Sequence, residues 1–248
     1  MSYMFTVSPD FSPDRLSGWY IFNTWMQRQL GVDIHLELYD DFCAQRVATF
    51  SNKIDLIYAN PFDAAMLVRE KGFLPLVKPT DLLDEVLIAV SENSPAQTID
   101  DLKANSKIAM TEDPNVNMIG MMLLESANLN NSNIEKNVYD SYILVAKNLL
   151  RGHDDAGVFL AGAFDDLSNM VKKQLKVLLR SEIDEIHHSL MIGPKLVARR
   201  DEIKELLLGM DKTEKGHGVL ESLGFKSWTI VDDEEMEFMI DLMDTLST

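Results

Sequence analysis

The sequence predicts an α/β protein of two Rossmann-like lobes, joined by two crossover strands, with a ligand cleft between them. Strand and helix patterns alternate along residues 1–85 and again from about residue 86. An apolar segment at 190–192 is typical of a strand that returns the chain to the first half, and no Pro-, Ser- or Gly-rich linker separates the halves. We therefore expect lobe 1 to consist of residues 1–85 and 193–248, and lobe 2 of residues 86–192.

The first predicted element after the N-terminal strand is a long amphipathic helix. Ser12-Pro13 is a favourable helix start, because serine can cap the helix and proline is tolerated in its first turn. Apolar side chains then recur at steps of three and four from Leu16 to Leu30. Gly31 ends the helix.

The rest of the first half alternates strands with helices. Residues 34–38 alternate apolar and polar side chains, which is typical of a half-buried strand, and residues 54–59 form a more apolar strand. A short helix lies between them, and Asn60-Pro61 begins another helix that Gly72 ends. This order predicts a mostly parallel sheet.

The second half repeats the pattern and ends in helices. The predicted strands are 86–90, 107–110, 157–160 and 177–179. The predicted helices are 118–126, 139–151 and 165–174, followed after the return strand by 201–208, 213–223 and 233–246. A polar loop at 111–117 lies between the second strand and the first helix of this half.

The charge balance excludes several classes of partner. Asp and Glu number 40 against 23 Lys and Arg, so the formal net charge is −17. Nucleic acids and anionic membranes bind basic surfaces, so we expect neither as a partner. The longest apolar run, 156–164, is far shorter than the roughly 20 residues of a membrane span. The N-terminal segment lacks an export signal, so we expect a cytoplasmic protein, or a periplasmic one if a leader was removed.

Motifs of catalysis and cofactor binding are absent from the sequence. It contains no phosphate-binding loop, dinucleotide fingerprint, nucleophile elbow, His-Glu-x-x-His or Cys-x-x-Cys motif. Cys43 is the only cysteine, so no intrachain disulfide can form. The pair His187-His188 is more typical of a polar strand end than of a metal site, because adjacent strand residues point to opposite faces. We predict no catalytic residue, no metal and no cofactor.

Four polar loops follow predicted strands, at the end of the sheet where open α/β proteins bind ligands. They are Ser8-Pro9-Asp10, Tyr39-Asp40-Asp41, 58–63 and 111–117. Each precedes a helix, whose first N–H groups lack intrahelical partners and can bind an anion or a carbonyl group. This arrangement predicts a binding site for a small polar molecule.

Several segments, in this order and spacing, resemble those of a known family. They are 55–62 (DLIYANPF), 87–95 (LIAVSENSP), 98–103 (TIDDLK), Asp113-Pro114 and Gly152 with 155–157. Over nearly its whole length the chain resembles the phosphate/phosphonate-type substrate-binding proteins of ABC transporters. The resemblance implies a type II periplasmic-binding-protein fold, a small-molecule ligand and an ABC permease as partner.

One loop departs from the family. Where the family usually has Ser/Thr-x-Ser-Gly around the phosphonate oxygens, this chain has Asn115-Val116-Asn117. The four loops contain no Lys or Arg, yet they carry several carboxylates. We therefore expect a phosphonate- or oxyanion-like ligand, or one that is zwitterionic, neutral or cationic at one end. Asn115, Asn117 and helix N–H groups would donate to its polar head.

The predicted ligand-binding residues come from both lobes. Tyr39, Tyr58 and Phe62 would contact the ligand's body, with core packing as the alternative for Tyr58 and Phe62. Tyr142, or the neighbouring Ser141, lies where the resemblance implies a polar ligand contact. The full set is Ser8, Asp10, Tyr39, Tyr58, Asn60, Phe62, Thr111, Asn115, Asn117, Met118, Tyr142 and Phe159.

Two functions are compatible with these observations. In the first, the chain is a non-catalytic binding protein. It is then either the solute-binding component of an ABC transporter or a cytoplasmic ligand sensor that acts on a signalling partner. Alternatively, it is a cytoplasmic enzyme on the same fold that acts on a small carboxylated metabolite. We favour binding, because no nucleophile or base has a recognisable partner, and we expect a monomer or weak dimer.

Overall fold

The computed structural model describes residues 2–247, which form two units, each built on one mixed sheet. Unit 1 comprises residues 2–82 and His187–Leu242, and unit 2 comprises Leu83–Ile186 and residues 243–247. The return strand, assigned to the second lobe from the sequence, lies in unit 1 because it pairs with two strands of that unit's sheet. Among the described residues, no helix has the length and apolar character of a membrane span.

Eleven strands and ten α-helices follow one another in the described chain. The strands are β1 (Ser2–Val7), β2 (Asp33–Leu36), β3 (Leu56–Ala59), β4 (Leu74–Pro79), β5 (Val86–Ser91), β6 (Lys107–Met110), β7 (Glu135–Val138), β8 (Ala156–Leu160), β9 (Leu175–Arg180), β10 (Ser189–Ile192) and β11 (Trp228–Ile230). The helices are α1 (Leu16–Leu30), α2 (Phe42–Phe50), α3 (Pro61–Lys71), α4 (Pro114–Glu125), α5 (Tyr142–Leu150), α6 (Ala161–Asp165), α7 (Asn169–Lys172), α8 (Arg200–Leu208), α9 (Glu214–Leu223) and α10 (Asp233–Ser247).

The sheet of unit 1 has the strand order β11-β4-β10-β3-β1-β2. Strand β1 runs parallel to β2 and β3, whereas β10 runs antiparallel to both of its neighbours, β3 and β4. Ser189 pairs with Ala59, so the amino end of β10 lies beside the carboxyl end of β3. We call this part of unit 1, where β1 and β3 end, the carboxyl end of the sheet.

Helix α1 covers the sheet of unit 1 with its apolar face. Trp19, Phe22 and Met26 are buried, and their three-and-four spacing is the one predicted from the sequence. Trp19 contacts Phe5 of β1 edge to face, with ring centroids 6.1 Å apart. The same cluster includes Trp228 of β11, a strand between two of the helices predicted from the sequence.

The close approach of α1 to α9 depends on a glycine. A Cβ atom at Gly18 would lie 2.2 Å from the carbonyl oxygen of Ser222 in α9, well inside van der Waals contact. The two helix backbones can approach this closely only because position 18 has no side chain. In contrast, a Cβ at Gly218, on α9 itself, would have no neighbour within 4 Å.

The sheet of unit 2 has the strand order β7-β6-β8-β5-β9. Strand β6 is parallel to β7 and β8, and β5 is antiparallel to β8 and β9. Helix α4 packs on β8 at Gly120, where a Cβ atom would lie 2.4 Å from Val158 Cγ1. This contact fixes the helix whose first turn carries Asn115 and Asn117.

The buried Glu85 carboxylate links two segments of unit 2 that are close in sequence to its boundaries with unit 1. Glu85 accepts hydrogen bonds from the Ser181 hydroxyl and from the backbone N–H groups of Ile183 and Asp184, the latter two at 2.8 and 2.7 Å. Asp184 adopts a left-handed backbone conformation with φ +62°. All of these residues belong to unit 2.

Replacing Gly18 by Ala should destabilise the protein, because the new methyl group would overlap the Ser222 carbonyl oxygen. We expect a loss of about 1–3 kcal/mol in the free energy of unfolding. Gly218→Ala is the matched control, since it adds the same methyl group to a helix in open space and should stabilise by about 0.5–1 kcal/mol. Urea unfolding measures both. A Gly18→Ala protein as stable as the parent would contradict the close helix approach.

Candidate ligand-binding site

A buried ion pair lies at the carboxyl end of the sheet in unit 1. Asp10 is in the loop after β1, and His188 immediately precedes β10. Their Oδ2 and Nε2 atoms are 2.9 Å apart, and their side chains are only 5% and 9% exposed. The antiparallel direction of β10 brings His188 to this end of the sheet. The sequence analysis gave His188 no function, and its only signal was its position before the return strand.

The ion pair determines the ionisation of Asp10. Burial alone would raise the pKa of Asp10, but the positive charge of His188 and hydrogen bonds from His188 and Ser8 outweigh it. The pKa of Asp10 is therefore lowered from its ordinary value of 3.8. Asp10 is a charged, paired group at neutral pH rather than an isolated carboxylate.

The other polar residues predicted at this end of unit 1 also bond to one another. Asn60 caps α3 by accepting from the Asp63 N–H at 2.8 Å, and its Nδ2 donates to Ser8 Oγ at 3.2 Å and to Asp63 Oδ2 at 2.8 Å. Arg46 of α2 donates to Asp63 at 2.5 Å and places its guanidinium 4.8 Å from the Phe62 ring centroid. Both polar atoms of the Asn60 side chain thus have partners within the unit.

Two carboxylates that the sequence analysis treated as uncompensated are therefore paired. Asp10 is matched by His188 and Asp63 by Arg46, and both cations come from outside the four loops. Cations from outside these loops therefore compensate two of the loop carboxylates. The missing information was tertiary, since no pattern in the sequence predicts which cation reaches which carboxylate.

The three predicted aromatic contacts of unit 1 differ in burial. Tyr58 is only 5% exposed, belongs to the core cluster with Trp19 and stacks on the His188 ring at 5.2 Å. The core-packing alternative therefore describes Tyr58. Tyr39 and Phe62 are half-buried, and burial, with a smaller contribution from Glu37, raises the pKa of Tyr39.

In unit 2 the first turn of α4 is capped by a buried carboxylate. Asp113 accepts from the Val116 N–H at 3.4 Å through Oδ1 and from the Tyr142 hydroxyl at 3.0 Å through Oδ2. Its side chain fills the N-cap position, where a carboxylate stabilises the helix dipole. Tyr142, expected to contact the ligand directly, orients the capping carboxylate.

The helix begins earlier than the sequence predicts. Residues 111–117 were expected to form a loop with the helix starting at 118, but Asp113 caps a helix that starts at Pro114. Asn115 and Asn117 therefore lie in the first turn of α4. In a helix each Cα–Cβ bond tilts toward the N-terminus, so both side chains lean toward the capped end.

Both asparagines carry polar atoms without hydrogen-bond partners. Asn115 is fully buried, and neither its Oδ1 nor its Nδ2 has a partner. Asn117 donates from Nδ2 to the Thr111 carbonyl oxygen at 2.8 Å, and its buried Oδ1 has no partner. Asn117 Nδ2 uses one of its two N–H groups for the Thr111 carbonyl oxygen and keeps the second, so the prediction that both amides donate to a ligand stays a prediction.

The remaining predicted residues of unit 2 differ in accessibility. Phe159 is fully buried in the core beside Phe164, with centroids 5.3 Å apart, so its side chain serves packing. Met118 is half-buried on α4. Thr111, itself buried, accepts at 3.4 Å from the Asp113 N–H through its hydroxyl. Across residues 2–247, no group of three or more His, Cys, Asp or Glu side chains could hold a metal ion.

Comparison with known proteins identifies a matching family. The model of the family described as ABC transporter, phosphonate, periplasmic substrate-binding protein matches residues 5–236. A search of curated proteins finds no match.

Solved structures match the fold at low sequence identity. PhnD1 from Prochlorococcus marinus, in complex with methylphosphonate, has a TM-score of 0.84 at 14% identity, covering 99% of this chain and 98% of its own. A binding protein component of an ABC phosphonate transporter from Pseudomonas aeruginosa has a TM-score of 0.78 at 15% identity, covering 99% and 86%. The periplasmic aliphatic sulphonate binding protein SsuA from Escherichia coli has a TM-score of 0.71 at 14% identity, covering 99% and 91%.

These findings confirm the predicted fold class, since both mixed sheets match type II periplasmic-binding-protein structures. The family and the matched structures are substrate-binding proteins rather than enzymes. Non-catalytic ligand binding is therefore the function that the fold and family share.

Replacing Asp10 by Asn should show the strength of this pair, because it removes the negative charge that faces the His188 imidazole. We expect a loss of about 1–3 kcal/mol in the free energy of unfolding at pH 6. The folded-state pKa of Asp10 is lowered, so its contribution is complete above about pH 4 and disappears as the pH falls through the lowered pKa.

Urea unfolding of both proteins between pH 6 and pH 2.5 measures this difference. Asp40→Asn, which removes an exposed carboxylate from a neighbouring loop, is the control and should have little effect. A difference between parent and Asp10→Asn that stays constant as the pH falls would contradict the assigned ion pair.

Proposed function

The chain belongs to the phosphonate family of periplasmic substrate-binding proteins of ABC transporters, and from this premise we propose that it binds a small polar ligand at the first turn of α4. An ABC permease is the partner that this family implies. We further propose that the chain works as a monomer or weak dimer. The unit 2 residues of the proposed site are Thr111, Asn115, Asn117 and Met118.

The observation that carries the proposal is the Asn115 side chain. It is fully buried, yet both of its polar atoms lack a hydrogen-bond partner. An unsatisfied buried polar group costs about 1–3 kcal/mol, and native proteins rarely leave one without a function or a bound molecule. A ligand that both accepts from Nδ2 and donates to Oδ1 would recover this free energy.

A second amide in the same turn supports the proposal. The buried Oδ1 atom of Asn117 also lacks a partner, and the side chains of Asn115 and Asn117 lean toward the capped end of the helix. The first turn of a helix additionally presents backbone N–H groups that have no intrahelical acceptor. The first turn of α4 therefore carries several polar groups without partners in the protein, which a small polar ligand could satisfy.

The polar residues predicted in unit 1 already have hydrogen-bond partners within the protein, unlike Asn115. Hydrogen bonds link Ser8, Asp10 and Asn60 to one another and to neighbouring side chains. These residues therefore need no ligand to complete their hydrogen bonding. Tyr39 and Phe62, both half-buried, remain the predicted contacts for the ligand's body.

Asn115→Leu should reduce the ligand-induced rise in melting temperature by about half or more, because leucine has a similar branched shape but cannot form hydrogen bonds. A thermal-shift screen with phosphonates, inorganic oxyanions and amino acids identifies the ligand for the parent protein. At a ligand concentration 100 times Kd, the parent should gain about 2.7 kcal/mol, which corresponds to roughly 5–10 °C at this size. The variant should lose at least tenfold in affinity.

Asn23→Leu is the matched control for this experiment. Asn23 is also buried with an unpartnered Oδ1, but it lies on α1 in unit 1. Both variants make the same chemical change at a buried position. Asn23→Leu also breaks the hydrogen bond from Asn23 Nδ2 to the Ile34 carbonyl oxygen (3.0 Å), so it should lose stability but keep the parent affinity. Retained affinity in Asn115→Leu, or equal loss in both variants, would overturn the proposed site.

A further inference from the structure

Helix α5 has an apolar side that its own unit leaves exposed. Val145 and Leu149 are buried in the core of unit 2, which accounts for one side of the helix. Ile143 lies on another side and is 69% exposed. An amphipathic helix of a globular protein usually has polar residues on its exposed side, so an exposed apolar side chain here indicates an interaction surface.

A groove of about 260 Å³ lies between α5 and the chain around α7. It belongs entirely to unit 2. Its apolar lining includes Ile143, Leu150, Leu167 and Val171. The charged side chains that line it, Lys147 and Arg151, are both cations. We call this surface the α5 groove.

The two cations of the α5 groove are available to an incoming carboxylate. Lys147 and Arg151 are exposed and four residues apart, so they lie one helical turn from each other. Within residues 2–247, neither side chain forms an ion pair with a carboxylate. An apolar groove with cations along it fits an amphipathic helix that carries carboxylates beside an exposed apolar side chain.

Helix α10 has this complementary surface. Its Phe238 is 37% exposed, and the exposed residues Glu234 and Glu237 lie beside it, one helical turn from each other. Neither glutamate forms an ion pair with any described residue. Residues 233–247 contain no Lys or Arg. We call Glu234, Glu237 and Phe238 the α10 face.

We propose that the α5 groove of one copy of this chain binds the α10 face of a second copy. Phe238 contacts the apolar lining of the groove, and the two glutamates pair with Lys147 and Arg151. Each pair of charges is spaced by one helical turn, so both ion pairs form when the two helices lie alongside each other.

The net charge of −17 does not prevent this contact. At physiological salt the Debye length is about 8 Å, so the repulsion between distant charges is screened while pairs in contact still attract. The groove and the face are different surfaces, so the contact is heterologous and a third copy can add to a dimer. This inference goes beyond ligand binding and does not depend on the site at α4.

Sedimentation equilibrium of the unmodified protein at pH 7 in 0.15 M NaCl tests the proposal. One groove and one helix face form a small interface, so the average mass should rise only between about 10 and 500 µM protein. K147E/R151E and E234K/E237K should each weaken self-association at least tenfold, because like charges then meet at the contact. An equimolar mixture of the two variants should associate within threefold of the parent, because opposite charges meet again.

K103E/K107E is the matched control. It reverses two exposed cations elsewhere in unit 2 and changes the net charge by the same amount as K147E/R151E. Its self-association should stay within threefold of the parent. All the reversed side chains are exposed, so the variants should melt within a few degrees of the parent. If a double variant melts early, Lys147→Glu and Glu237→Lys make the same comparison singly.

Three results would overturn the proposal. A parent that stays monomeric over the whole concentration range would leave the groove to a different partner. Self-association that both charge-reversed variants retain would assign it to another surface. A mixture of the two folded variants that stays monomeric would show that the groove and the face do not meet.

Discussion

Unit 1 depends on the insertion of β10 into the middle of its sheet. Leu190, Met191 and Ile192 are fully buried, and the strand pairs on one side with β3 and on the other with β4. The chain supplies this strand only after it has passed through Leu83–Ile186, so unit 1 cannot complete its sheet from its N-terminal segment alone. The antiparallel direction of β10 then brings His188 to the carboxyl end of the sheet, where Asp10 lies.

The two polar regions differ in how completely their buried groups are hydrogen-bonded. In unit 1, carboxylates, amides and hydroxyls compensate one another, and such a network is rigid because breaking any bond leaves a buried group unpaired. In unit 2, Asn115 is fully buried and Asn117 half-buried, and the buried polar atoms of both are incompletely bonded. A fully satisfied network needs no ligand, whereas an unsatisfied buried amide gains free energy from one.

The sequence was most informative where local chemistry determines structure. The amphipathic pattern of α1 and the stop at Gly31 required only local spacing, and both agree with the structure. Strand β4 was not predicted, because Pro75 and Pro79 are unusual in a strand, and the edge strand β7 was not predicted because it is polar and largely exposed. These strands form through pairing with distant segments, which periodicity does not detect.

The candidate site was predictable only in part, because it too depends on contacts between residues that are far apart in the sequence. The loop around Asn115 was singled out from its departure from the family pattern, but its residues are helical, because α4 starts at Pro114 and not at the predicted residue 118. The ion pair between Asp10 and His188 joins residues 178 positions apart, and only the paired sheet reveals it. Burial of Tyr58 and Phe159 likewise depends on packing, which a single sequence does not specify.

The most direct test of the central claim is the side-chain NH2 signal of Asn115 in a nitrogen–proton correlation spectrum, assigned by its loss in Asn115→Leu. Titration with a ligand found by calorimetry should shift this signal saturably, with the calorimetric Kd, while the NH2 signal of Asn23 stays in place. An Asn115 signal that does not move at saturating ligand would contradict binding at the first turn of α4.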